Sequence, residues 1–119
     1  MFTDEKLKEF LKNVLNYDLK NDFIFIKDSE FNYIYVNKSF SNIFKVREQD
    51  IMGKNDNFIK ILNISEKINC SYSDKMALKN YFFSSEEIIN GNKYLILKIN
   101  IKISSKNNGI LGLIKKSPK

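Results

Sequence analysis

Phe23-Ile24-Phe25-Ile26-Lys27-Asp28, followed after a short polar turn by Tyr33-Ile34-Tyr35-Val36-Asn37-Lys38-Ser39-Phe40, is the stretch that decides how this chain folds. β-Branched and aromatic residues dominate both runs and Ser29-Glu30 separates them, so each reads as a strand and the pair as a hairpin. The first strand is apolar on both parities, which demands cover on both faces of its sheet. Asn37 is a good helix N-cap, and Phe40, Ile43 and Phe44 follow it at helical spacing, so the second strand runs directly into a short helix.

The carboxyl half extends the sheet. Over residues 93–103 one parity is wholly apolar (Leu95, Leu97, Ile99, Ile101, Ile103), whereas the other reads Tyr94, Ile96, Lys98, Asn100, Lys102. This alternation predicts a half-buried strand with the leucine parity facing the helices. The turn Asn90-Gly91-Asn92 joins it to a preceding strand over 82–89, and Asn-Gly is a strong hairpin signal. A second turn at 106–109 leads into a strand over 110–114, completing a three-stranded meander.

Between the two sheet segments, residues 47–52 read as a helical turn stopped by Gly53. Residues 56–69 fit neither period cleanly, and Ser71 or Ser73 is expected to cap a helix containing Met76, Ala77, Asn80 and Tyr81. Ahead of the sheet, Leu7, Phe10, Leu11, Val14 and Leu15 recur at spacings of three and four, an amphipathic helix capped by Thr3 or Asp4. The reading is therefore an α+β chain with an antiparallel sheet and helices on one face. An N-terminal helix (1–20) precedes one domain (21–116) and a tail (117–119). Leu7, Leu11 and Val14 are the natural cover for the outer sheet face, a task that a partner subunit could share in a homodimer.

Composition removes several functions. A hydrophobic fraction of 43% over 119 residues supports one packed core. The apolar runs are too short for membrane insertion, and the single Cys70 forms no internal disulfide, which fits a reducing, cytoplasmic setting. The net charge of +6 raises the question of nucleic acid. The basic residues are interleaved with acids, however, and only Lys115, Lys116 and Lys119 cluster, so no phosphate-binding face is expected. With no histidine the chain lacks the usual general base and the commonest metal ligand. Glu86-Glu87 and Asp28/Glu30 read as surface carboxylates, so no catalytic residue, metal site or enzymatic activity is expected.

The fragments Phe23 to Asp28, Tyr33 to Phe40 and Ile51-Met52-Gly53-Lys54-Asn55-Asp56 resemble, in order and spacing, bacterial PAS domains, which commonly read "hydrophobic-Lys-Asp", "Tyr-x-Val-Asn-x-x-Phe" and "Ile-x-Gly-Lys-Thr-Asp". The resemblance runs from Asp22 to Ile114. It implies a five-stranded antiparallel sheet whose inner face and helices enclose a cavity. It also implies a role as the sensory input of a histidine kinase, cyclic-dinucleotide enzyme or DNA-binding regulator, an effector that these residues do not contain.

The same resemblance narrows the cofactor. Haem held by an axial histidine is excluded. Flavin of the LOV type is disfavoured because Asn69-Cys70 is followed by Ser71-Tyr72 rather than Arg-Phe, and Phe40 stands where photoactive yellow protein carries a pocket carboxylate. No cofactor is predicted, and a non-covalent small molecule or a dimerisation role remains, with a ligandless interaction scaffold as the alternative. The candidate lining is Phe25, Ile34, Val36, Phe40, Phe44, Met52, Met76, Tyr81, Leu97 and Ile99. Lys27 shares the parity of Phe25 and should point inward, where an isolated ammonium is costly. Its expected partner is Asp56, or, with Tyr81, the carboxylate of a ligand.

Overall fold

The computed structural model describes residues 22–89 and 91–117. Five strands form one antiparallel sheet: β1 (Phe23–Asp28), β2 (Tyr33–Val36), β3 (Phe82–Ile89), β4 (Asn92–Lys102) and β5 (Asn108–Lys116), in the order β2-β1-β5-β4-β3. Between β2 and β3 lie α1 (Lys38–Phe44), α2 (Glu48–Ile51), a 3-10 turn (Asp56–Phe58) and α3 (Ile64–Asn80). The sheet hydrogen-bonds its first strand to its last, so the N-terminal hairpin and the C-terminal meander become one surface.

Local chemistry fixes the connections. Asn37 Oδ1 accepts hydrogen bonds from the backbone N–H of Phe40 and of Ile24, both at 3.0 Å, so one side chain caps α1 and ties it to β1. The β3–β4 hairpin pairs Ile89 with Asn92, and Gly91 takes the positive φ of 82° that such a two-residue turn requires.

The helices cover one face. Phe25, Tyr33, Val36, Phe40, Phe44, Ile51, Ile59, Leu62, Ile89, Tyr94, Ile96 and Ile114 form the inner core. On the opposite face Ile24, Ile26, Leu111 and Leu113 form a second buried cluster, flanked by Tyr35, Leu97, Ile99 and Ile101. β1 is therefore buried on both sides, as its sequence requires. The N-terminal helix, with Leu7, Leu11 and Val14, lies outside the described residues.

Two expectations are corrected. The region 56–80 holds one 17-residue helix, α3, begun by a capping box: Asn63 accepts from the Glu66 N–H and Glu66 accepts from the Asn63 N–H, each at 2.8 Å. Ser71 and Ser73 thus lie inside the helix and cap nothing. In β4 the inward parity is Tyr94, Ile96 and Lys98, so Leu97 and Ile99 face outward.

Gly112 is paired with Phe25 on one side and Lys98 on the other. A Cβ there would overlap the Phe25 ring, which is already wedged against Tyr33 and Phe40 at centroid distances of 5.5 and 5.7 Å. The ring therefore lies across the glycine, toward Lys98. Gly112→Ala is expected to lose about 1–3 kcal/mol of stability by overpacking, read as a lower urea midpoint. A change under about 0.5 kcal/mol, the scale of an ordinary surface substitution, would show that the ring moves freely.

Candidate functional site

The inner sheet face carries two lysines, Lys27 on β1 and Lys98 on β4, with relative exposures of 1% and 2%. Such ammonium groups persist in a core only when carboxylates and hydrogen bonds replace their water. Asp74 supplies most of this from the middle of α3: its Oδ2 lies 2.5 Å from Lys27 Nζ and its Oδ1 2.6 Å from Lys98 Nζ. The second contact is one of charge alone, since Asp74 Oδ1 accepts no aligned hydrogen bond among the described residues. Lys98 instead donates to Ser73 Oγ at 2.7 Å and to the Cys70 carbonyl at 3.3 Å.

The remaining partner of Lys27 arrives by a loop. Gly53, at φ 77°, lets the chain double back so that its N–H donates to the Tyr33 carbonyl and the Tyr33 N–H donates to the Lys54 carbonyl, both at 2.8 Å. Asn55 Oδ1 accepts from the Asn57 N–H at 2.9 Å and starts the 3-10 turn that presents Asp56. Asp56 Oδ2 then accepts from Lys27 Nζ at 2.9 Å and Oδ1 from the Tyr33 hydroxyl at 2.5 Å. The pairing of Lys27 with Asp56 expected from strand parity is present, and Asp74 and Lys98 enlarge it to a charge-balanced cluster. Lys27 also sits 4.7 Å from the Tyr33 ring centroid and 5.2 Å from that of Phe25, so aromatic faces complete its surroundings.

The titration behaviour follows from this packing. Burial opposes the charge on Lys27, but Asp56 and Asp74 outweigh it and raise the ammonium pKa above its ordinary value. For Asp56, burial is likewise outweighed, by Lys27 and by the hydrogen bond from Tyr33, and the carboxyl is lowered. Burial first, and then Asp56, push the Tyr33 phenol up. Burial also pushes the Cys70 thiol to about 12, against a partly compensating Lys98.

Two spaces meet at this cluster. The interior cavity, lined by Lys27, Tyr33, Phe40, Cys70, Lys98 and others, measures about 20 Å³, room for roughly one water. Outside it, a groove of about 460 Å³ runs between the β1–β2 turn, the 3-10 turn and α3, lined by Glu30, Phe31, Asn55, Asp56, Asn57, Ile64, Lys67, Ile68, Ser71 and Asp74. Asp56 lines both.

The candidate lining residues separate accordingly. Phe25, Val36, Phe40 and Phe44 are in the inner core, Met52 packs on its edge, and Lys27 and Asp56 are in the charged cluster. Ile34 is 41% exposed, and Tyr81 is 76% exposed at the C-cap of α3, so neither reaches the interior and Tyr81 does not meet Lys27. Met76 is half-buried on α3 without lining the cavity, and Leu97 and Ile99 lie on the outer face. Asp74 and Lys98 were not singled out by the sequence reading. Their signal is a lysine set among Ile96, Leu97 and Ile99 and an aspartate at helical spacing from Cys70 and Ala77.

Among the described residues no cluster of metal-ligating side chains is present, and no helix is long and apolar enough to cross a membrane. No protein-family model and no curated protein matches the sequence. Solved structures do match. VqmA of Vibrio cholerae, in a dimer structure without target DNA, superposes with a TM-score of 0.74 at 13% identity, covering 99% of this chain and 52% of VqmA. This chain thus spans about half of that protein. The PAS domain of a Colwellia psychrerythraea protein gives 0.64 at 14% identity, covering 95% of each chain. The PAS domain of the histidine kinase ThkA gives 0.66 at 9% identity, covering 80% of this chain and 99% of that one. Strand order, the helical connection from β2 to β3 and these superpositions together identify the fold as PAS-like.

Proposed function

We propose that this chain is a sensory input domain that binds a small molecule non-covalently and regulates an effector carried by other residues or another chain. One observation carries the reading: Asp56 is at once a wall of the 460 Å³ groove and the counter-ion of a lysine buried on the interior strand β1. The groove is of the size that small ligands occupy. A ligand touching Asp56 would change the energy of the sheet beneath it, and such differential contact is what a signal requires. The similar folds in a histidine kinase and in a receptor that a further structure shows bound to DPO are in keeping with this reading. A thiol held up to about 12 is a poor nucleophile at neutral pH, so Cys70 is suited to lining a cavity rather than to bonding a ligand covalently.

Native mass spectrometry of the purified chain tests the proposal. A small molecule retained in the folded protein and released on denaturation is expected. A clean apo mass, together with no thermal shift across a metabolite collection, would overturn it. A ligandless dimerisation scaffold is favoured by a different observation. On the outer face, Phe82 and Leu95 are 60% and 40% exposed beside half-buried Leu97 and Ile99, an apolar strip at the β3–β4 end. A dimer mass without any adduct in the same spectrum would select that reading.

A further inference from the structure

Resting on the sensor reading above, we propose that the Lys27–Tyr33 position is a carboxylate-binding subsite which Asp56 occupies from within the chain. The ligand it takes is a small monocarboxylate with an apolar body, which displaces the Asp56 carboxylate. The donors are arranged for such a group: one oxygen receives the Tyr33 hydroxyl at 2.5 Å and the other the Lys27 ammonium at 2.9 Å.

Of the two acids in the cluster, Asp56 is the exchangeable one. Asp74 is anchored in a 17-residue helix and its side chain is 1% exposed, whereas Asp56 rides on a three-residue 3-10 turn and its side chain is 13% exposed. Asp56 also lines both the groove and the interior cavity, so a ligand that takes its place reaches the cluster from the groove. Charge restricts the class of ligand. Two ammoniums face two carboxylates, and exchange of one carboxylate for a monoanion preserves that balance, while a cation or a neutral molecule would leave Lys27 and Lys98 with the single carboxylate of Asp74. Phe31, Ile64 and Ile68 give the groove apolar surface for the ligand's body, and Glu30 and Lys67 in the same lining offset one another in charge.

An intramolecular carboxylate competes at high effective concentration, so its removal should unmask the subsite. Acetate, butyrate and benzoate titrated into the Asp56→Ala variant are expected to raise its thermal midpoint saturably. Their apparent affinity should be at least about tenfold tighter than for the wild type. Chloride at equal ionic strength and butylammonium should not do so, and adding Lys27→Met should abolish the response. Equal responses to chloride and carboxylates, or a response that survives Lys27→Met, would overturn the proposal. If Asp56→Ala does not fold, Asp56→Asn keeps the shape of the turn and is expected to respond in the same way; indifference of that variant to carboxylates likewise overturns it. A native ligand lacking a carboxylate would sink this assignment and leave the sensor reading standing. Carboxylate rescue of the variant with no ligand on the wild type would support the subsite and count against the sensor reading.

Discussion

Asp74→Asn is expected to cost about 3–5 kcal/mol of folding stability, the penalty for breaking a buried ion pair from one side. Its two oxygens lie 2.5 and 2.6 Å from Lys27 and Lys98, and the residue is wholly buried. Without its charge, two buried ammoniums share the single carboxylate of Asp56. In urea, with a slope of roughly 1–3 kcal/mol/M for small proteins, the midpoint should fall by 1 M or more. Replacing the whole cluster at once, as Lys27→Met, Asp56→Leu, Asp74→Leu and Lys98→Met, should instead leave stability within about 1 kcal/mol of the wild type or raise it, because desolvation of the charges disappears along with their attraction. A loss below about 1 kcal/mol for Asp74→Asn alone would mean that water or rearrangement solvates the lysines, contrary to their burial.

Alkaline pH is expected to unfold the protein over a broad window that opens near pH 9. Among the described residues the folded state holds four protons more tightly than the unfolded chain: on the Cys70 thiol, raised from 9.0 to about 12, on Tyr33 and Lys27, raised above 10.0 and 10.5, and on Tyr94, raised above 10.0 by burial. Each contributes stability that is complete below its unfolded pKa and is lost as pH climbs through its folded pKa. For Cys70 alone, the passage from 9.0 to about 12 is worth roughly 4 kcal/mol once complete. Cys70→Ala removes the earliest of these and should flatten the stability profile between pH 9 and 10. An unchanged limb in that variant would discount the thiol. At the acid end the sign reverses for Asp56: its lowered carboxyl gives stability that is present above its ordinary 3.8 and is lost as pH falls through the lower folded value.

The strands and turns were legible because their residues obey local rules. β1, β2, the Asn37 cap and the Asn-Gly hairpin combine propensity, pattern and turn chemistry that agree. The inward direction of Lys27 was legible from its parity with Phe25, and so was its need for an acid. The reversed faces of α3 and β4 share one cause, the placing of charge inside. α3 buries Glu66, Ser73, Asp74 and Ala77 while it exposes Ile64 and Ile68 at 77% and 62%, so its polar face is its inner face and apolar periodicity misreads it. β4 turns Lys98 inward for the same reason, because Asp74 is waiting there, and that reverses the face expected from its leucines. A hydrophobic pattern cannot reveal a core whose centre is an ion cluster. Only the geometry that brings α3 over β1 and β4 shows it.

The pairing of β1 with the central strand β5 also bears on how the domain responds to force. The two strands are antiparallel with Phe23 opposite Ile114, so the chain enters and leaves the sheet at the same end of adjacent strands. Tension applied through those two points would peel the ladder apart one rung at a time, beginning at Phe23 and Ile114 and reaching Lys27 opposite Ile110 only near the far end. Sequential peeling resists far less than simultaneous shear of all the rungs. The sheet is therefore a mechanically soft seam at its middle, with its ion cluster placed where the unzipping would arrive last.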